Sequence, residues 1–182
     1  IWGICGRIVC GITHATRVNR TGQPVQHGMR QIMQSPKTIL ITGCSSGIGY
    51  DAAHGLAKRG WRVFATCRQQ VDCDRLTAEG LESLVLDLTD EASIETAVAD
   101  VLSRTGGTLD ALYNNGAFAV PGAVEDLPRQ ALREIFEVNL FGYHDLTCRV
   151  IKVMRTQGHG RIINCSSVLG FVGSQTLYIS KR

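Results

Sequence analysis

The sequence predicts an α/β protein in which helices cover both faces of a doubly wound parallel sheet, giving three layers. Short apolar segments rich in β-branched residues alternate with segments whose apolar residues recur every three or four positions. A glycine-rich turn at 42–49 joins the first short segment to the first helical one. Strands that alternate with helices in this way favour parallel pairing and right-handed crossovers.

The first strand and the first helix flank this turn. The strand, predicted at 38–42, is an apolar β-branched run of the kind found in buried parallel sheets. The helix, predicted at 47–59, has Ala and Leu at helical spacing and runs into a Lys-Arg-Gly sequence at 58–60. Cations in a last turn and a glycine just beyond it favour the end of a helix.

The turn reads T-G-C-S-S-G-I-G. Gly43 and Gly47 can adopt positive φ, and Gly49 lets the helix pack closely on the strand. The free N–H groups and partial positive charge of a helix N-terminus suit a pyrophosphate. The turn is therefore the candidate anion-binding site, and an ordinary glycine-rich turn is the alternative.

Four further strands and two further helices follow. The strands are short apolar runs, and we predict them at 61–66, 84–86, 109–113 and 161–165. Each helix carries apolar residues on one face at intervals of three and four, and we predict them at 93–102 and 128–155.

The net charge of +3 does not indicate a nucleic-acid partner. Residues 1–32 contain four arginines and no acid, which leaves 15 basic and 16 acidic residues in the rest of the chain. The remainder is therefore close to neutral and predicts no basic face. No apolar run approaches the roughly 18 residues of a membrane span, so we expect none.

Residues 1–32 differ in character from the rest. The chain opens on Ile1, and we take Met33 as the expected start of the domain. We therefore expect 1–32 to be a leader outside the domain, disordered or artefactual, and 33–182 to be a single domain. The seven cysteines are scattered and form no C-x-x-C pair. This pattern favours free thiols in a cytoplasmic protein over disulfides or a metal site.

Five motifs then occur at consistent intervals. They are the glycine turn after the first strand, Asp87 after the third, Asn114-Asn115-Gly116 after the fourth, Asn139 in the long helix and Ser166-Ser167 after the fifth. Over 33–173 the chain resembles the short-chain dehydrogenase/reductase family, and it looks most like bacterial members related to retinol and 17β-hydroxysteroid dehydrogenases. The resemblance implies a Rossmann fold and hydride transfer between NAD(P) and a small carbonyl or alcohol substrate.

The resemblance also implies where the cofactor binds. The pyrophosphate and adenosine side would contact the turn, Asp87 and Leu88 would contact the adenine, and the loop after the fourth strand would contact the ribose. Asp87 as a helix N-cap is the alternative, although Thr89 and Asp90 are better placed for it. The implied cofactor residues are Gly43, Ser45, Ser46, Gly47, Ile48, Gly49, Asp87, Leu88, Asn114 and Gly116.

The residue after the second strand predicts NADP, with NAD less favoured. NAD enzymes place an acid there for the ribose 2′-hydroxyl. This chain instead has Arg68, and no acid follows until Asp72. A guanidinium matches a 2′-phosphate through charge-assisted hydrogen bonds. A solvated loop arginine is the alternative.

The resemblance implies four catalytic residues, which are Asn139, Ser167, Tyr178 and Lys181. In the family the Ser holds the substrate oxygen, the Tyr is the acid/base, the Lys lowers the Tyr pKa, and the Asn orders a water. Here Lys181 follows Tyr178 by three residues, one fewer than in the family, and the match fails after 173.

The tail predicts a domain whose C-terminal part is missing. Residues 174–182 fit a truncated or mis-sequenced end of a longer homo-oligomeric enzyme, or a genuine divergent tail. We expect such a chain to bind NADPH weakly and to turn over little. A catalytically inactive nucleotide-binding remnant and an NAD(P)-sensing protein are the alternative functions.

Overall fold

In the part of the chain that the structure describes, five parallel strands form the sheet in the order β3-β2-β1-β4-β5. The computed structural model describes residues 35–167, and the predicted leader at 1–32 lies outside them. Each strand is four to six residues long. Their bounds are β1 Thr38–Ile41, β2 Arg62–Cys67, β3 Glu82–Val85, β4 Ala111–Asn114 and β5 Arg161–Asn164.

Between residues 35 and 167, five α-helices connect the strands. They are α1 Gly47–Ala57, α2 Gln70–Ala78, α3 Glu91–Thr105, α4 Arg129–Phe136 and α5 Tyr143–Gln157. A 3₁₀ turn at Val124–Asp126 precedes α4, and a π-helical segment at Glu137–Gly142 joins α4 to α5. No helix in the part described combines the length and apolar character that crossing a bilayer requires.

The strands bury residues on both faces, which confirms the predicted three layers. Leu40 and Phe64 pack with apolar residues of α3 and α5 in one core. Ile41 and Ala65, the next residues along the same strands, pack with α1 and α2 in the other core. Side chains alternate between the faces of a strand, so a four-residue strand contributes to both cores.

The structure corrects two element predictions. Helix α2 was not predicted, because only Cys73 and Leu76 of its nine residues are buried and its pattern is mostly polar. The helix predicted at 128–155 is interrupted by the π-helical segment. The apolar residues there keep the spacing of an α-helix, yet Leu140 and Phe141 are exposed. The spacing of apolar residues therefore does not reveal the wider turn of the π-helix.

Candidate functional site

A cleft opens where the loops after β1, β2, β3 and β4 meet. The strand order begins at β1 in the middle of the sheet, runs outward through β2 to β3, and then continues at β4 on the other side of β1. Ligands of open α/β sheets bind at such a switch point. The cleft is lined by Thr42, Gly43, Ser45, Arg68, Gln69, Asp72, Leu86, Asp87, Leu88, Gly116, Ala117, Phe118 and Val138.

The glycine turn ends at the N-terminus of α1. Ser46 is the N-cap residue, but its side chain makes no capping hydrogen bond, and the first turn holds no acid. Gly47 opens the helix with a φ of 61°. Ile48 is 64% exposed beside it despite being apolar. The first-turn N–H groups are therefore not capped by Ser46 and suit an anion.

Two glycines allow backbone segments to touch beneath the cleft. A Cβ on Gly43 would collide with the Cα of Gly116, so this position brings the turn against the loop after β4. A Cβ on Gly49 would collide with the Gly43 carbonyl oxygen and with the Asn115 side-chain amide. The backbone N–H groups of the turn lie close together here, and the Arg68 guanidinium and the Ser45 hydroxyl line the same cleft. This combination fits a dinucleotide pyrophosphate.

Thr42 and Asn115 hold the turn in place, although no role was predicted for either from the sequence. The Thr42 hydroxyl oxygen accepts hydrogen bonds from the backbone N–H groups of Asn115 and Gly116, both at 2.9 Å. The Asn115 side-chain amide donates to the carbonyl oxygens of Thr42 at 3.0 Å and Gly43 at 3.2 Å. The signal for them was their position in the two motifs already recognised.

The Asn114 side chain makes hydrogen bonds inside the protein, and its predicted contact with the cofactor stays a prediction. Its side chain is fully buried and does not line the cleft. The side-chain amide donates to the Thr147 hydroxyl at 3.1 Å and to the Asn164 side-chain oxygen at 2.9 Å. Asn114 is the last residue of β4, so its side chain turns into the layer between the sheet and α5.

Asp87 lies in the wall of the cleft and does not cap α3. Asp90 caps that helix by accepting from the Ala92 N–H at 2.9 Å. One carboxylate oxygen of Asp87 accepts from the backbone N–H and the hydroxyl of Thr89, at 2.9 and 2.8 Å. The Asp87 carboxylate is therefore fixed by its own loop. Its contact with an adenine stays a prediction.

Asn139 lies in the π-helical segment and forms two hydrogen bonds with Phe118, which lines the cleft. Its side-chain amide donates to the Phe118 carbonyl oxygen at 2.8 Å, and its side-chain oxygen accepts from the Phe118 N–H at 3.2 Å. One turn on, the buried Tyr143 donates its hydroxyl to the Gly116 carbonyl oxygen at 2.8 Å. The side-chain amide of Asn139 is therefore occupied by the Phe118 backbone, and the ordering of a water by Asn139 stays a prediction.

A second cleft adjoins the first and shares Ala117 and Phe118 with it. Asn139 and Ser167 both line it, so the structure brings two of the predicted catalytic residues to one space. Tyr178 and Lys181 lie outside the described residues. Within 35–167, no group of three His, Cys, Asp or Glu side chains could hold a metal ion.

Burial keeps two groups beneath the cleft neutral. Burial raises the pKa of the Cys44 thiol to about 12, although a hydrogen bond from the Thr66 backbone opposes it. Burial likewise raises the pKa of Tyr143 well above its ordinary value. At neutral pH the thiol is therefore an inert packing group, and the phenol is a fixed hydrogen-bond donor.

Comparison with known sequences gives one consistent family. The profile of the family described as short chain dehydrogenase matches residues 37–179. The uncharacterized oxidoreductase YbbO of Escherichia coli K12 is 36% identical over 144 residues, which are 79% of this chain and 53% of YbbO. Human retinol dehydrogenase 8 is 38% identical over 146 residues, 76% of this chain and 47% of the enzyme. The resemblance to this family and to retinol dehydrogenases is confirmed.

Two more relatives carry cofactor names. The NADPH-dependent 1-acyldihydroxyacetone phosphate reductase of Schizosaccharomyces pombe is 35% identical over 77% of this chain and 47% of its own length. A gluconate 5-dehydrogenase from Burkholderia cenocepacia, solved with NADP and tartrate, has a TM-score of 0.70 and 27% identity, covering 79% of this chain and 58% of that one.

A short-chain dehydrogenase structure from Streptomyces avermitilis fits at a TM-score of 0.74 and 35% identity, covering 79% of this chain and 54% of that one. The chain spans about half the length of the curated relatives it matches.

Proposed function

Because the chain belongs to the short chain dehydrogenase family, we propose that it is an oxidoreductase that uses NADP(H) and a small carbonyl or alcohol substrate. The observation that carries this proposal is the cleft in which Gly43 and Ser45 of the glycine turn and Arg68 line one space, next in the chain to the uncapped N-terminus of α1. The bound nicotinamide cofactor supplies the hydride, and the protein supplies binding, orientation and protons.

The choice of NADP is supported by the charge at the end of β2. Arg68 follows the last residue of that strand directly, is exposed, and lines the cleft together with Ser45. A guanidinium offers several N–H donors to a phosphate, where NAD enzymes offer a carboxylate to a hydroxyl. A relative named as NADPH-dependent and a similar structure solved with NADP support the same choice.

The proposed chemistry divides the cleft in two. The glycine turn, braced by Thr42 and Asn115, holds the phosphates. The adjoining space lined by Ser167 takes the substrate oxygen. Tyr178 would exchange a proton with that oxygen, and the charge of Lys181 would favour its phenolate form.

We propose a cytoplasmic enzyme that assembles as a homo-oligomer and has no nucleic-acid partner. The five described cysteines, which are Cys44, Cys67, Cys73, Cys148 and Cys165, are all free. Free thiols support a reducing compartment.

Equilibrium binding tests the cofactor assignment. We expect wild-type protein to bind NADP⁺ at least about tenfold tighter than NAD⁺, and Arg68→Met to lose about tenfold or more in NADP⁺ affinity, as expected for charge-assisted hydrogen bonds. NAD⁺ affinity should change little. Arg59→Met, at an exposed position after α1, is the matched control. Tighter binding of NAD⁺ by the wild type would contradict the NADP assignment.

A nucleotide sensor without turnover is the second candidate, and the short spacing between Tyr178 and Lys181 favours it. NADPH oxidation with retinoid, steroid and small aldehyde substrates separates the two functions. Turnover that falls by about 10²–10⁴ in Tyr178→Phe identifies the enzyme. NADPH binding without turnover on the whole panel identifies the sensor.

A further inference from the structure

Arg75 on α2 connects the glycine turn to an acidic residue of the cleft. One of its terminal nitrogens, Nη2, donates to the Ser45 carbonyl oxygen at 2.6 Å. The same nitrogen lies 3.1 Å from the Asp72 Oδ1, three residues earlier on the helix. Arg75 is about half exposed and does not itself line the cleft, whereas Ser45 and Asp72 do.

Asp72 lies where a carboxylate would oppose the proposed cofactor. It shares the cleft wall with Arg68 and Ser45, four residues after Arg68 in the chain. An unpaired carboxylate there would repel a 2′-phosphate and would suit a 2′-hydroxyl, as the acid of NAD enzymes does. The other acid in the wall is Asp87, whose Oδ1 accepts from Thr89.

We propose that Arg75 is a specificity-determining residue, which masks the charge of Asp72 and so lets the cleft accept a phosphorylated ribose. This inference rests on the proposed NADP function. The ion pair cancels the negative charge of Asp72. The hydrogen bond to Ser45 keeps the guanidinium against the glycine turn, so the mask stays where the phosphate would lie.

The alternative is that Arg75 only braces α2 against the glycine turn. A brace would serve any nucleotide equally, with or without a 2′-phosphate. A charge mask affects only the phosphorylated one, and it becomes unnecessary once Asp72 is neutral. Loss of a brace should therefore weaken the binding of both nucleotides equally, whereas loss of a charge mask should weaken only the binding of the phosphorylated one.

The test uses adenosine 2′,5′-bisphosphate and 5′-AMP, which differ only in the 2′-phosphate. Their affinities for the full chain are measured by calorimetry in wild type, Arg75→Gln, Asp72→Asn and the double variant. We expect Arg75→Gln to weaken the bisphosphate by about tenfold through the unmasked charge. Binding of 5′-AMP should change less than about threefold, and added salt should shrink the difference.

Adding Asp72→Asn to Arg75→Gln should restore bisphosphate affinity to within about threefold of wild type. Arg59→Gln, outside the cleft, is the charge control, and thermal unfolding checks that each variant is folded. Equal losses for both ligands, no loss at all, or no rescue by Asp72→Asn would each overturn the proposal.

Failure of the proposed NADP function would show in a different measurement. It appears in the wild type alone, as equal or weaker binding of the bisphosphate compared with 5′-AMP. The Arg75 proposal is read from the change in the ratio between the two affinities and from its rescue, so the two failures are distinguishable.

Discussion

Single residues decide whether the glycine turn can form, and Gly49 is the most constrained of them. It lies in the first turn of α1, where an added Cβ would meet the Gly43 carbonyl and the Asn115 amide. Gly55, further along the same helix, has open space around the position of an added Cβ. The two positions share a helix but differ in what lies next to them.

We predict that Gly49→Ala destabilises the protein by about 1–3 kcal/mol, as overpacking against backbone does. It should also weaken NADP⁺ binding, because the turn must move. Gly55→Ala should raise the free energy of unfolding by about 0.5–1 kcal/mol, since alanine is the better helix former. Urea denaturation measures both. Equal effects of the two substitutions would contradict the packing argument.

The sequence predicted the motifs, and the structure adds what each residue of a motif contacts. An Asn pair was predicted after β4, with a cofactor contact at Asn114 that stays a prediction. The pair divides because Asn114 ends the strand and is buried, whereas Asn115 begins the loop and reaches the glycine turn. Which of two identical neighbours faces the cleft depends on the strand's last residue, and sequence patterns place element ends only to within a few residues.

Among the elements, the strands were predicted and the irregular helices were not. Strands β1 to β5 are short buried runs, and each was recognised within a few residues of its bounds. Helix α2 escaped because it buries little, although it carries Asp72 and Arg75 beside the cleft. The π-helical segment was not predicted because it shows itself in tertiary contacts rather than in the local sequence pattern. It directs Asn139 and Tyr143 onto Phe118 and Gly116, contacts about 20 to 30 residues apart in the chain.

Hydrogen bonds to Asp110 connect the starts of strands β1 and β4. Its carboxylate accepts from the Thr38 N–H at 2.7 Å and the Thr38 hydroxyl at 3.0 Å, and His159 lies 3.1 Å from its other oxygen. Burial alone would raise the pKa of Asp110, but these hydrogen bonds outweigh it and lower the pKa below its ordinary value.

This shift predicts a pH-dependent contribution to stability. A carboxyl with a lowered folded pKa stabilises the protein above its unfolded pKa of about 3.9, and the contribution is lost as pH falls through the folded value. Asp110→Asn should therefore lower the free energy of unfolding most near pH 7, with the deficit narrowing below about pH 4. Urea midpoints across this range measure it.

Thr38→Val supplies the partner control for these hydrogen bonds. In that background the cost of Asp110→Asn should shrink, because residues in direct contact do not contribute additively. A deficit that is constant between pH 7 and pH 3 would show that the lowered pKa of Asp110 contributes nothing to stability.

At the scale of the whole molecule, the cleft lies between loops from the two halves of the strand order. The loops after β1, β2 and β3 come from one half of the strand order, and the loop after β4 comes from the other. A nucleotide bound between Arg68 and Phe118 would touch loops from both halves. Binding should therefore stabilise the described domain as a unit rather than one loop.

We predict that NADP⁺ at about 100 times its dissociation constant raises the free energy of unfolding by about 2.7 kcal/mol, the value required for a ligand that binds only the folded state. Amide hydrogen exchange should slow in the glycine turn and in the loop at 115–118 together, because Thr42 and Asn115 couple them. Protection confined to one of these segments would contradict that coupling. Gly49→Ala is the control, and it should show a smaller stabilisation and less protection at the same NADP⁺ concentration, because its displaced turn binds the phosphates more weakly.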